Sequence, residues 1–148
     1  MRSLLPLFLL LHVLSISAWL AAALWLAGDL RRTLALGKPH VDALRPRLAP
    51  ELGLDAIAAV ATFATGVLVM WAQGFAPPRP GVAAGLVLAV ARAGVLASLR
   101  RRVRGILARL DAGEAVPPTD PAARRAGALA GVAHGLWLLA LAGMVLPF

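Results

Sequence analysis

The sequence contains no cysteine, and this absence excludes several kinds of chemistry at once. A disulfide framework, a thiolate metal site, an iron–sulfur cluster and a cysteine nucleophile are all ruled out. Charged side chains are scarce, at 15% of 148 residues, and the sequence shows neither a Ser/His/Asp constellation nor a phosphate-binding glycine-rich loop. If the protein is an enzyme, a bound cofactor therefore supplies the chemistry.

Hydrophobic residues, in contrast, make up 60% of the chain, and the mean hydropathy is +0.81. Residues 4–27 form a run of 24 residues with no ionisable side chain except His12. A helix of about 20 apolar residues crosses a bilayer core of about 30 Å, so this run predicts a first membrane span. The run is too long for the apolar part of a cleaved signal peptide.

Three more apolar runs predict three more spans, at residues 54–75, 82–99 and 127–146. The helical spacing of the third continues past the membrane to about residue 111. Asp55 is expected in the first turn of the second span, which leaves no carboxylate within the membrane. Leucines in residues 28–53 predict segments on the membrane surface. The predicted fold is an all-α integral membrane four-helix bundle, one domain over residues 1–148.

The basic residues predict the orientation of this bundle. Twelve lysines and arginines lie in the two loops at residues 28–53 and 100–125, whereas only Arg2 and Arg79 lie on the other side. Such an excess marks cytoplasmic loops, so both termini are expected outside. The net charge of +8 then reflects topology and contact with membrane lipid, and no nucleic-acid partner is expected.

Three ionisable side chains fall within the predicted spans: His12, Arg92 and His134. Counted from the outer face at the helical rise, they lie about 12, 15 and 20 Å deep. Polar side chains in the hydrocarbon normally face the bundle interior, where a mid-depth arginine needs a partner or a water path. Two imidazoles can bind a haem iron, and an arginine can pair with a haem propionate. A histidine bonded to a neighbouring helix is the equally simple alternative for His12.

The fourth span also carries glycines at every fourth position, Gly127, Gly131 and Gly135. Such a row lets a neighbour approach the helix backbone closely, so it predicts contact with another helix or with a flat cofactor. His134, beside this row, is then expected to face inward.

The histidine and tryptophan of the first span, His12…Trp19, resemble those of the CopD/HemJ-like bacterial membrane proteins, as does the segment RGILARLDAGE after the third span. This resemblance implies a haem-b-binding bundle of the bacterial inner membrane, with His12 as an axial ligand and possible porphyrin chemistry of the kind that HemJ-type protoporphyrinogen oxidases perform. HemJ-type proteins carry a lysine on the third helix, and the nearest match here is Arg92.

Two other functions stay open on the sequence alone. Met70 and Met144, with His12, offer thioether and imidazole ligands, which suit copper(I). Alternatively, the chain is a non-catalytic accessory subunit that packs in a larger membrane complex or a homo-oligomer. The hypothesis that the site residues favour is a haem-b-binding membrane protein with His12 and His134 as iron ligands and Arg92 near the cofactor.

Overall fold

The computed structural model describes residues 2–145, and this part of the chain is helical, with no β-strand. Five α-helices follow one another: α1 (Leu5–Leu24), α2 (Leu26–Leu36), α3 (Leu44–Ala72), α4 (Pro80–Asp111) and α5 (Pro121–Val145). Short 3-10 turns, Arg2–Leu4 and His40–Ala43, precede α1 and α3. Four helical segments are long and apolar enough to cross a membrane. The predicted all-helical fold with four apolar spans is therefore confirmed.

The helices extend further toward the basic loops than the apolar runs predict. Helix α3 begins at Leu44, ten residues before the expected start, and α5 begins at Pro121. Helix α4 continues unbroken to Asp111, as its spacing predicts. Just beyond the end of the helix, Gly113 has a φ of +81°, in the left-handed region that favours glycine, and Glu114 N donates to Arg109 O at 3.0 Å.

Most leucines of residues 28–53 are buried against protein, whereas Leu36 is 56% exposed, and the location of these segments on a membrane surface stays a prediction. Leu30, Leu34, Leu44, Leu48 and Leu52 are buried, each at most 4% exposed. They form one hydrophobic core with the extension of α4 beyond the apolar span, including Val103 and Ile106. The amphipathic spacing of these leucines is present in the helices. Their apolar stripe faces the protein interior because the extension of α4 supplies a matching apolar stripe.

Asp120 joins the end of α4 to the start of α5. Its carboxylate accepts from Ala122 N at 2.8 Å and from Arg109 Nη1 at 3.0 Å. The backbone N–H bond and the arginine together hold the pKa of Asp120 below its usual range. The two long helices are thus tied together beyond the apolar run of α4, which fixes the start of α5 relative to α4.

Near the opposite end, α4 and α5 approach so closely that only glycine fits. A Cβ at Gly81 would overlap the carbonyl oxygen of Gly143. At Gly85 a Cβ would lie 3.2 Å from Ala140 O and closer still to the Met144 side chain. This glycine pair, at Gly81 and Gly143, brings the two backbones together.

Replacement of Gly81 by alanine is therefore expected to destabilise the bundle by about 1–3 kcal/mol, because the added methyl group forces two backbones apart. Gly94→Ala on the same helix is the matched control, since no atom lies within 4 Å of its Cβ position. That change should be neutral or slightly stabilising. Unfolding in mixed detergent micelles measures both variants, and equal stabilities would contradict the close approach.

Candidate functional site

Arg92 lies at the centre of a buried polar cluster between the helices. It is 1% exposed, and its guanidinium carbon stands 4.2 Å from the centroid of the Trp19 ring. Its Nη2 also donates to Trp19 O at 3.2 Å. A cation over an indole face is attracted by the ring quadrupole, more strongly where water is excluded. The predicted need for a protein partner is thus met by α1.

Asp55 supplies the negative charge of this cluster. Its carboxylate is buried, with the residue 2% exposed, and Oδ2 lies 3.5 Å from Arg100 Nε. Because α3 begins at Leu44, Asp55 lies well inside the helix, so the prediction that placed it in the first turn is wrong. Its position follows a visible sequence signal: Leu44, Leu48, Leu52 and Asp55 share one helical stripe, and all four are buried.

The cluster retains unused hydrogen-bonding capacity. Four of its buried atoms have no hydrogen-bond partner among residues 2–145: Trp19 Nε1, Asp55 Oδ1, Arg92 Nε and Arg92 Nη1. Two arginines face one carboxylate, so the cluster carries a net positive charge in a low-dielectric region. An unpaired buried charge is costly, and this arrangement favours a further anionic group near Arg92.

His12 is held by a hydrogen bond to Thr65. The ring Nδ1 lies 3.0 Å from Thr65 Oγ1. The Thr65 hydroxyl also lies within donating distance of two carbonyl oxygens of its own helix, Ala61 O at 2.7 Å and Thr62 O at 3.1 Å. With the hydroxyl hydrogen used there, we assign Thr65 as the acceptor from His12, which puts the ring proton on Nδ1 and a lone pair on Nε2. The ring rests on Gly66, whose Cβ position lies 3.2 Å from Cε1.

His134 is half-buried on α5, and its Nε2 is buried with no hydrogen-bond partner in the described part of the chain. The inward orientation expected for this residue is consistent with that burial.

In the structure of residues 2–145, the glycine row beside His134 on α5 is open and not packed against a neighbouring helix. Among the described residues, no atom lies within 4 Å of the Cβ positions of Gly127, Gly131 and Gly135, so no other helix of this part of the chain packs on the row, and its contact with a flat cofactor stays a prediction.

One of the two methionines proposed as copper ligands, Met144, packs against α4. The Met144 side chain packs against Gly85 of α4, where its methyl carbon lies 2.6 Å from the Cβ position. Over residues 2–145, no group of three or more histidine, aspartate and glutamate side chains converges in a way that would hold a metal ion. A haem iron is already held by four porphyrin nitrogens. Two imidazole ligands complete its coordination, so a haem site does not require such a group.

Comparisons of the chain with protein families, curated protein sequences and solved structures gave no match.

Proposed function

We propose that the chain is a multi-pass protein of the bacterial inner membrane that binds haem b, with His12 as an axial ligand of the iron. The hydrogen bond from His12 Nδ1 to Thr65 carries this proposal. Metal-ligating histidines characteristically donate one ring N–H to a neighbouring acceptor, which orients the ring and leaves the other nitrogen for the metal. His12 has this arrangement within an apolar bundle.

His134 is the proposed second ligand. Its Nε2 is a buried nitrogen with no hydrogen-bond partner among residues 2–145, and an iron atom would supply one. A haem iron held by two neutral imidazoles needs no negative protein ligand, which suits the absence of cysteine from the sequence. The resemblance of His12…Trp19 to CopD/HemJ-like proteins supports the same assignment.

Arg92 is the proposed partner of a haem propionate. Its Nε and Nη1 are buried donors without acceptors, and the cluster of Arg92, Asp55 and Arg100 has one positive charge in excess. A propionate carboxylate would accept from these donors and neutralise that charge. The cation–π contact with Trp19 would then keep the guanidinium in place whether or not haem is bound.

When bound, the haem would supply one-electron chemistry, and the protein would orient it and exclude water. This suits electron transfer, or oxidation of a porphyrin of the kind that HemJ-type oxidases perform. The basic loops would lie in the cytoplasm and both termini outside, because twelve of the fourteen lysines and arginines outside the spans lie in those loops.

Titration of the purified protein in detergent with ferric haem tests the proposal. We expect saturable binding of one haem per chain, with a sharp Soret band typical of two nitrogen ligands. If excess haem binds only as strongly as it binds to empty micelles, the haem proposal is wrong. Co-purification with other membrane proteins would then indicate the accessory subunit.

Thr65→Val should weaken haem binding by about 10- to 100-fold, because it removes the acceptor that orients His12 while keeping the shape of the side chain. Thr62→Val is the matched control, since the Thr62 hydroxyl bonds to Ala58 O of its own helix at 2.8 Å. Haem titrations of the two variants measure the difference. Equal affinities would show that the bond to Thr65 does not position a ligand.

A further inference from the structure

A wide groove opens at the basic-loop end of the bundle, between α2 and the start of α5. Its volume is about 950 Å³, and arginines and small residues line it, including Arg31, Arg32, Arg124, Gly28, Gly127 and Ala128. Glycine and alanine have short side chains, so the groove stays open between the arginines that line it. The groove is distinct from the cluster around Arg92.

The arginines of this groove carry uncompensated charge. Arg31, Arg32 and Arg124 are exposed, and within residues 2–145 no carboxylate lies within 4 Å of any of them. Nearby arginines differ, since Arg47 pairs with Asp29 and Arg109 with both Glu114 and Asp120. The positive charge of the groove is therefore available to an anionic ligand.

An open track leads from this groove along α5. Arg124, Gly127, Gly131 and Gly135 are spaced by three and four residues, so they lie on one face of the helix. The three glycine positions have no atom within 4 Å of a Cβ, and exposed apolar side chains such as Val132 and Leu138 flank them. Eleven residues of helix cover about 16 Å, or about half of a bilayer core of about 30 Å.

We propose that the groove binds the phosphate headgroup of one anionic phospholipid, with an acyl chain lying along the track formed by Gly127, Gly131 and Gly135. Arginine forks match phosphate oxygens, and the positive hollow provides the complementary charge. The apolar, leaflet-length track indicates a lipid rather than a free phosphate, because a soluble ligand would leave it uncovered. The inference requires membrane insertion but not the proposed haem.

Native mass spectrometry of the protein released from bilayers of phosphatidylglycerol and phosphatidylcholine in equal parts tests this site. We expect one retained phosphatidylglycerol per chain and no retained phosphatidylcholine. Each basic residue near an anionic surface contributes about fivefold in affinity, so changing Arg31, Arg32 and Arg124 together to glutamine should weaken retention by more than about tenfold. Changing Arg101, Arg102 and Arg104 together is the matched control, because these exposed arginines do not line the groove.

A second pair of variants tests the track. Gly131→Leu should lower lipid retention without loss of fold, because its side chain fills open space where the acyl chain would lie. Gly94→Leu places the same side chain in open space on α4 and should leave retention unchanged. The proposal is overturned if the two arginine triples behave alike, if Gly131→Leu retains lipid as well as Gly94→Leu does, or if soluble glycerol 3-phosphate displaces the lipid as effectively as phosphatidylglycerol does.

Discussion

Asp55→Asn is expected to lower the free energy of unfolding by about 3–5 kcal/mol, the usual cost of leaving a buried charge without its partner. Among residues 2–145, Asp55 is the only carboxylate at the cluster of Arg92 and Arg100, and it is 2% exposed. Arg100, with an 18% exposed side chain, can turn toward solvent when the carboxylate is lost. Arg92, at 1% exposure, cannot do so without breaking its contact with Trp19.

Two further variants separate this effect from a general loss of charge. Asp29→Asn removes a carboxylate with a 33% exposed side chain that pairs with Arg47 at 3.1 Å, and it should cost less than about 1 kcal/mol. Adding Arg92→Met to Asp55→Asn should restore much of the lost stability, because the orphaned charge is then gone. Unfolding in mixed micelles measures all of them. If Asp55→Asn costs no more than Asp29→Asn, the cluster does not hold the bundle together.

His12→Ala is expected to abolish specific haem binding, a loss of at least about a hundredfold in affinity, because the variant lacks the nitrogen that would hold the iron. The fold should survive, since the ring is only half-buried and rests on a glycine. His40→Ala is the control, because His40 is exposed in the 3-10 turn before α3. A Soret band that survives His12→Ala at full intensity would show that another residue binds the haem.

The helical architecture followed directly from hydropathy and spacing. The four apolar runs mark helices, and the leucine and valine spacing after residue 99 predicts the extension of α4 to Asp111. The burial of Arg92 against a protein partner was also predictable, because a charge at mid-depth cannot remain without one. That the partner of Arg92 is Trp19 depends on how α1 and α4 pack against each other, and local sequence spacing does not encode this packing.

The faces of α5 show where sequence reasoning fails. This helix carries two stripes of small residues, one of alanines at Ala126, Ala130 and Ala133 and one of glycines at Gly127, Gly131 and Gly135. The alanine stripe is buried, and the glycine stripe is open. Both permit close approach, and the choice between them depends on tertiary packing. Asp55 was misplaced for a related reason: hydropathy set the start of α3 too late, although the leucine stripe identifies the true register.

The most direct test of the central claim, that His12 Nε2 binds a haem iron, is the optical spectrum of the His12→Gly variant mixed with haem, recorded before and after the addition of imidazole. The variant alone should lack the low-spin spectrum of the parent protein. Imidazole from solution should restore that spectrum by occupying the space of the missing ring. A His12→Gly spectrum identical to that of the parent before any imidazole is added would contradict the assignment.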